Sequence, residues 1–140
     1  MCIRDRLQAE PRSERVVYCD GKADRSTGKE LQVYGDANLL TLALINLIRN
    51  ALRAIEGQED GIVRVDTCAG ATGHLLITIT DNGPGIPPER LSAIFAPFFS
   101  TKSGGSGIGL PISQRIMQLH GGQLSVSSIP NVRTEFRMEF

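Results

Sequence analysis

Leu39 to Ile55 reads LLTLALINLIRNALRAI, and the reading of this stretch decides the fold. Its length and its Leu, Ala and Ile content predict a helix. Apolar residues surround most of the helical wheel, so a buried helix is expected. Asn46 and Asn50 break the pattern one turn apart on one face, and Arg53 continues their stripe. A buried amide without partners costs about 1–3 kcal/mol, so two stacked amides need a reason. Neighbouring backbone is one reason. A ligand-facing stripe is the other, because amide oxygens coordinate hard cations and a guanidinium holds phosphate. Magnesium rarely gets a full protein cage and is usually held together with nucleotide phosphates.

Upstream of this helix, Arg15 to Cys19 is a short β-type run, and Asp20 to Lys29 is polar and Gly-containing, a loop or hairpin connection. Leu31 to Tyr34 reads as a second short strand ended by Gly35-Asp36. Asp36 or Asn38 can cap the helix, and Gly57 follows its end as a C′ glycine does. The first six residues, MCIRDR, carry no signal-peptide core. They match what a common sequencing-library adaptor encodes when read as coding sequence. Residues 1–6 are therefore expected to be non-native and the gene to extend upstream; resequencing with a different library chemistry tests this, and MCIRDR reappearing in frame would refute it.

Downstream, Ile62 to Cys68 alternates as a half-buried strand does, AGATG is turn chemistry, and Leu75 to Thr80 is a stronger strand. Pro88 to Ile94 reads as a short helical turn, and Phe95 to Ser106 as a mobile loop without periodicity. Gly107 to Leu119 is helical, with Ile112, Ile116 and Leu119 on one face, and Gly121-Gly122 stops it. Gln123 to Ser128 and Thr134 to Phe140 alternate as two final strands. This order predicts an α+β sandwich of two layers: a mixed, mostly antiparallel sheet with helices on one face.

Composition narrows the function. The chain has 140 residues, enough for one domain with a real core. Fifteen basic residues balance fifteen acidic ones, so no basic field points to nucleic acid. Arg49 and Arg53 interrupt the longest apolar run, which falls short of the ~20 residues a membrane span needs. Cys2, Cys19 and Cys68 lack CxxC spacing, which argues against zinc and fits a reduced, cytoplasmic setting.

Two glycine-bearing segments carry the chemistry. Asp81-Asn82-Gly83-Pro84-Gly85 follows a strand and is, on turn chemistry alone, a tight reversal. Glycines around a proline also let stiff backbone approach a flat ligand, and a carboxylate at the strand end accepts from an exocyclic amine such as adenine's. Gly104 to Leu110, GGSGIGL, opens a helix, where free N–H groups favour phosphate. A flexible linker is the bland alternative. A P-loop is excluded because GxxxxGK[ST] is absent, and the GxGxxG fingerprint fails at Ile112. Pro111 is acceptable in a first helical turn.

Taken in order, N46xxxN50, D81xGxG85, FAPFF and S106GIGL110 resemble the N, G1, F and G2 boxes of the GHKL, or Bergerat-fold, ATPase superfamily. The match spans about Arg15 to Phe140. NLIRNALRA, DNGPGIP, PFFSTK and HGGQLSV look especially like the catalytic ATP-binding domain of nitrogen- and dicarboxylate-sensing histidine kinases. The resemblance implies ATP and Mg2+ as cofactors. It implies that Asn50, with Asn46, holds the metal, that Arg53 faces the phosphates, and that Lys102 approaches the γ-phosphate. Asp81 would bind the adenine amine, with Gly83, Gly85 and Ile86 shaping the pocket. Ser106, Gly107, Ile108, Gly109 and Leu110 would cradle the phosphate chain.

In the hydrolase branches of that superfamily a glutamate four residues before the metal-binding Asn activates water. That position here is Asn46, which cannot act as a general base, so binding with poor hydrolysis is expected. Transfer to a protein side chain needs chiefly positioning and charge neutralisation. Two departures stand out. Asn131-Val132-Arg133-Thr134 replaces the family's Gly-x-Gly-Thr, although Asn tolerates the left-handed turn. The dimerisation hairpin bearing the phosphoacceptor histidine is absent, and neither His74 nor His120 resembles an acceptor. Residues 7–140 are thus expected to be a catalytic-domain fragment of a longer, homodimeric kinase, a cytoplasmic domain of a protein that could be anchored in the inner membrane. Its partners would be its own hairpin and a response regulator. Two rivals are a GHKL serine kinase or anti-sigma type regulator and a nucleotide-sensing module without transfer activity; the true start codon discriminates the first and Mg-dependent ATP binding the second.

Overall fold

The structure is a computed structural model that describes residues 16–20, 33–70, 74–99 and 107–140. The elements run β1 (Val16–Asp20), α1 (Ala37–Ala54), β2 (Val63–Ala69), β3 (Leu75–Asp81), α2 (Pro88–Leu91), α3 (Gly109–Leu119), β4 (Gln123–Ile129) and β5 (Arg133–Glu139). They form one five-stranded sheet in the order β1-β2-β3-β5-β4. β1 lies parallel to β2, and the other three pairings are antiparallel. The expected mixed, mostly antiparallel sheet is therefore present.

The registers explain where the core sits. Val65, Ile79, Phe136 and Val126 face one another across four strands, as do Thr67, Ile77, Met138 and Leu124. Most of these side chains are buried, and α1 and α3 cover this face of the sheet. α1 contributes Ala43, Leu44, Leu47, Ile48, Ala51 and Leu52 to the core. Asp36 caps its start, its carboxylate accepting from Asn38 N–H at 2.8 Å and Leu39 N–H at 3.1 Å. Gly57, at φ 84°, follows two residues past the C-cap Ile55.

Four expectations change. α1 is not buried all round: Leu39, Leu42, Arg49 and Arg53 are exposed, because only one flank meets the sheet and α3. Val33 and Tyr34 are not in a strand, so the described half of the expected Leu31–Tyr34 strand is irregular, and Tyr34 is exposed. On α3 the covered face is Ser113, Ile116 and Met117, while Ile112 and Leu119 are exposed. Of the expected loop from Phe95 to Ser106, the part to Phe99 is built from successive turns. Phe95 and Phe99 there pack against the core; residues 100–106 lie outside the described residues.

Candidate functional site

α1 supplies the spine of the site. Asn46, Asn50 and Ala54 are spaced four residues apart and form one stripe about 12 Å long. At its lower end the Asn46 amide donates, at 3.5 Å each, to the Gly109 carbonyl and the Ser113 hydroxyl in the first turns of α3. At its upper end Ala54 abuts Gly83, where an added Cβ would come within 3.0 Å of the Ala54 carbonyl oxygen. Asn50 lies between these contacts, half-buried, and Arg53 is exposed beside it. The asparagine stripe, the Asp81–Ile86 loop and the start of α3 thus converge on one helix face.

Ser113 locks α3 to α1. Its side chain is fully buried, and its hydroxyl donates to the Gly109 carbonyl at 2.9 Å and approaches the Ala43 carbonyl at 3.4 Å. Sequence reasoning missed it by assigning the wrong face of α3; a serine among Ile116 and Met117 at helical spacing was the available signal. The N-cap of α3, Ile108, makes no side-chain cap hydrogen bond, unlike that of α1. Ile108 thus supplies no cap of the kind that Asp36 gives α1.

The loop after β3 is fixed from both sides. Asp81 is buried, and its Oδ1 accepts from Gly83 N–H at 2.9 Å. Asn82 points the other way: its Oδ1 accepts from Ile62 N–H at 2.7 Å and its amide donates to the Asp60 carbonyl at 2.9 Å. This residue, not singled out from the sequence, holds the loop to the connection between α1 and β2. Gly85 adopts φ 73°, and a Cβ there would meet the Ile129 carbonyl oxygen at 2.7 Å. Only glycine satisfies both demands. The neighbouring Pro84 carbonyl accepts from Asn131 N–H at 2.8 Å, and Asn131 takes the left-handed conformation its sequence suggests, φ 59°.

Gly107 closes the other side. Phe98 donates its N–H to the Gly107 carbonyl at 3.0 Å, and a Cβ on Gly107 would lie 2.6 Å from the Phe98 carbonyl carbon. Ile108 is exposed, and Gly109 and Leu110 are half-buried at the start of α3. Lys102 and Ser106 lie outside the described residues. His74 is exposed. His120 has both ring nitrogens engaged, Nε2 accepting from Asp36 N–H at 3.0 Å and Nδ1 facing the Ile116 carbonyl at 2.7 Å. Among the described residues no helix is long and apolar enough to cross a membrane.

Comparison with known proteins agrees with this fold. The family model described as histidine kinase-, DNA gyrase B-, and HSP90-like ATPase matches residues 35–140. Sensor histidine kinase ZraS of Salmonella typhimurium is 43% identical over 98 residues, covering 70% of this chain and 21% of that protein. The C4-dicarboxylate transport sensor protein DctB of Rhizobium meliloti is 42% identical over 104 residues, 74% of this chain and 17% of its own. Sensory histidine kinase/phosphatase NtrB of Vibrio alginolyticus is 35% identical over 138 residues, 92% of this chain and 39% of its own. The chain therefore spans well under half the length of these relatives. Among solved structures, a mycobacterial sensor histidine kinase, MprB, superposes with TM-score 0.79 at 29% identity, covering 99% of this chain and 91% of that one. Full-length ShkA in complex with AMPPNP superposes with TM-score 0.74 at 26% identity over 89% of this chain and 25% of that one. The chain belongs to the histidine kinase-, DNA gyrase B-, and HSP90-like ATPase family and carries the ATPase domain of the sensor-histidine-kinase type.

Proposed function

We propose that this chain binds Mg-ATP and donates the γ-phosphoryl group to a histidine on a dimerisation hairpin of the longer protein, for relay to a response regulator. The observation that carries the reading is the stripe Asn46–Asn50–Ala54, which touches the start of α3 at one end and the Asp81–Ile86 loop at the other. A ligand lying along it would reach the amides, the buried carboxylate and the start of α3 together.

Each residue has a distinct part. Asp81, acceptor-only when ionised, takes the exocyclic amine of adenine, and the backbone at Gly83, Gly85 and Ile86 lies against the ring. The N–H groups from Gly107 through Leu110 receive phosphate oxygens, aided by the positive end of α3. Ser106 is assigned to the same cradle. Arg53 and Lys102 neutralise charge on the transferring group. The donor set suits Mg2+: the Asn46 amide nitrogen is turned toward α3, which leaves its oxygen, with that of Asn50, as a hard ligand. When bound, the metal neutralises phosphate charge. With Asn46 in place of a general base, water is poorly activated and the phosphoryl group is kept for a protein acceptor.

The full-length protein on this reading is a homodimer whose ATP-binding domain is cytoplasmic, and membrane anchoring would lie elsewhere in its sequence. Titration of the purified chain with ATP, with and without Mg2+, tests the central step. Micromolar binding that needs Mg2+ is expected, and no binding of either form would refute it.

A further inference from the structure

The core-facing side of the sheet ends in a polar row. Asp81 on β3 pairs with Thr134 on β5, which pairs with Ser128 on β4. The equivalent rows deeper in the sheet are largely apolar, so this row needs an explanation. Asp81 and Thr134 are almost fully buried, at 2% and 3% exposure, and Ser128 is half-buried.

Ser128 reaches beyond the sheet. Its hydroxyl accepts from Ile86 N–H at 2.8 Å, across 42 positions of sequence. It also donates to the Arg133 carbonyl at 3.0 Å and lies 3.2 Å from the Thr134 hydroxyl. One donor and two acceptor sites satisfy all three contacts at once: donation to Arg133, and acceptance from Ile86 and Thr134. The Asn131 N–H bond to the Pro84 carbonyl and the contact of Gly85 with Ile129 and Pro130 attach the same loop to the same hairpin. Of these attachments, the Ser128 bond alone is made by a side chain. The other two are backbone contacts.

We propose that Ser128 is a positioning residue, holding the Pro84–Ile86 wall of the nucleotide pocket against the β4–β5 hairpin so that it stands ready for the base. The inference rests on the assignment of this pocket to ATP. Without the hydroxyl, the Ile86 N–H has no acceptor on the hairpin, and the wall must be ordered at the moment of binding, which lowers affinity.

The test compares Ser128→Thr with Ser128→Val, two side chains of one shape that differ in the hydroxyl, with Ser127→Ala on the exposed face as a control. Ile86 amide hydrogen exchange in the unliganded protein is read alongside Mg-ATP affinity and melting temperature. The parent and Ser128→Thr are expected to protect the Ile86 amide. Ser128→Val should expose it and bind ATP about tenfold more weakly than Ser128→Thr, the scale of one hydrogen bond. An unprotected Ile86 amide in the parent, or equal ATP affinity in the Thr and Val variants, would overturn the proposal. A parent that protects Ile86 but does not bind ATP would instead overturn the assignment of the pocket. If Ser128→Val does not fold, Ser128→Ala takes its place, and Ile86 exchange as slow in Ser128→Ala as in Ser128→Thr would overturn the proposal.

Discussion

His120 Nε2 accepts the backbone N–H of Asp36 at 3.0 Å, joining the last residue of α3's cap to the residue that caps α1. Because Nδ1 faces the Ile116 carbonyl, the bonding fixes the tautomer with the proton on Nδ1. The antiparallel helices α1 and α3 are thereby tied at one end through His120 and at the other through Asn46 and Ser113. An apolar seam alone tolerates sliding; these ties give it one register.

Gly35 lies against the imidazole, so that an added Cβ would stand 2.3 Å from His120 Cδ2. Gly35→Ala should therefore destabilise the protein by about 1–3 kcal/mol, from overpacking and the displaced hydrogen bonds. In a His120→Ala background the same substitution should cost far less. Urea denaturation of the four proteins in this double-mutant cycle reads the coupling, and additive losses would exclude the contact.

Asn50→Ala should remove the Mg2+-dependent part of ATP affinity, more than about tenfold, while leaving the melting temperature nearly unchanged. The side chain is half-buried on a helix whose core contacts lie on other residues, so truncation opens little cavity. Calorimetric titration with and without Mg2+ is the measurement; equal curves for mutant and parent would remove Asn50 from the metal site.

Asp81→Asn should erode the preference for adenine over guanine nucleotides. The amide oxygen can still accept from Gly83 N–H, so the loop keeps its turn, while on the proposed assignment the NH2 group would offer the base a donor in place of an acceptor. Competition between ATP and GTP measures the ratio, and an unchanged ratio would reduce Asp81 to a turn residue.

The chain incubated alone with γ-labelled ATP should yield no acid-labile phosphate. His120 has both ring nitrogens committed to backbone partners, and about 16 Å of helix separates it from the start of α3. In-line transfer tolerates no such displacement. Supplying the matching helical hairpin in trans should restore labelling on the hairpin, whereas phosphohistidine at His120 or His74 would contradict the assignment.

The parts legible in the sequence were those written in local pattern. The α1 helix, a cap at Asp36 or Asn38, the strands around Val65 and Ile79 and the left-handed Asn131 all follow from neighbours within a few residues. The glycine segments at Gly83–Gly85 and Gly107–Gly109 were likewise visible, though not what presses on them. What the sequence hid are the long-range polar ties. Asn82 reaches Asp60 and Ile62, Ser113 reaches Ala43, and Ser128 reaches Ile86, with separations that no window of periodicity covers. The misplaced face of α3 has the same origin: Ile112 looks as apolar as Ile116, and only the position of α1 decides which is covered.

The β4–β5 hairpin turns within Pro130 to Val132, whereas β1 meets β2 only after the whole of α1 has intervened. Closing the short loop costs little chain entropy and closing the long one costs more, so the hairpin is expected to form early in folding and the parallel edge late. Substitutions at Leu124 and Phe136 should then slow refolding, with φ-values well above those of substitutions in the β1–β2 pairing. The surface that receives Pro84, Gly85 and Ile86 would exist before the loop arrives, which makes the proposed ligand wall a late passenger on an early nucleus.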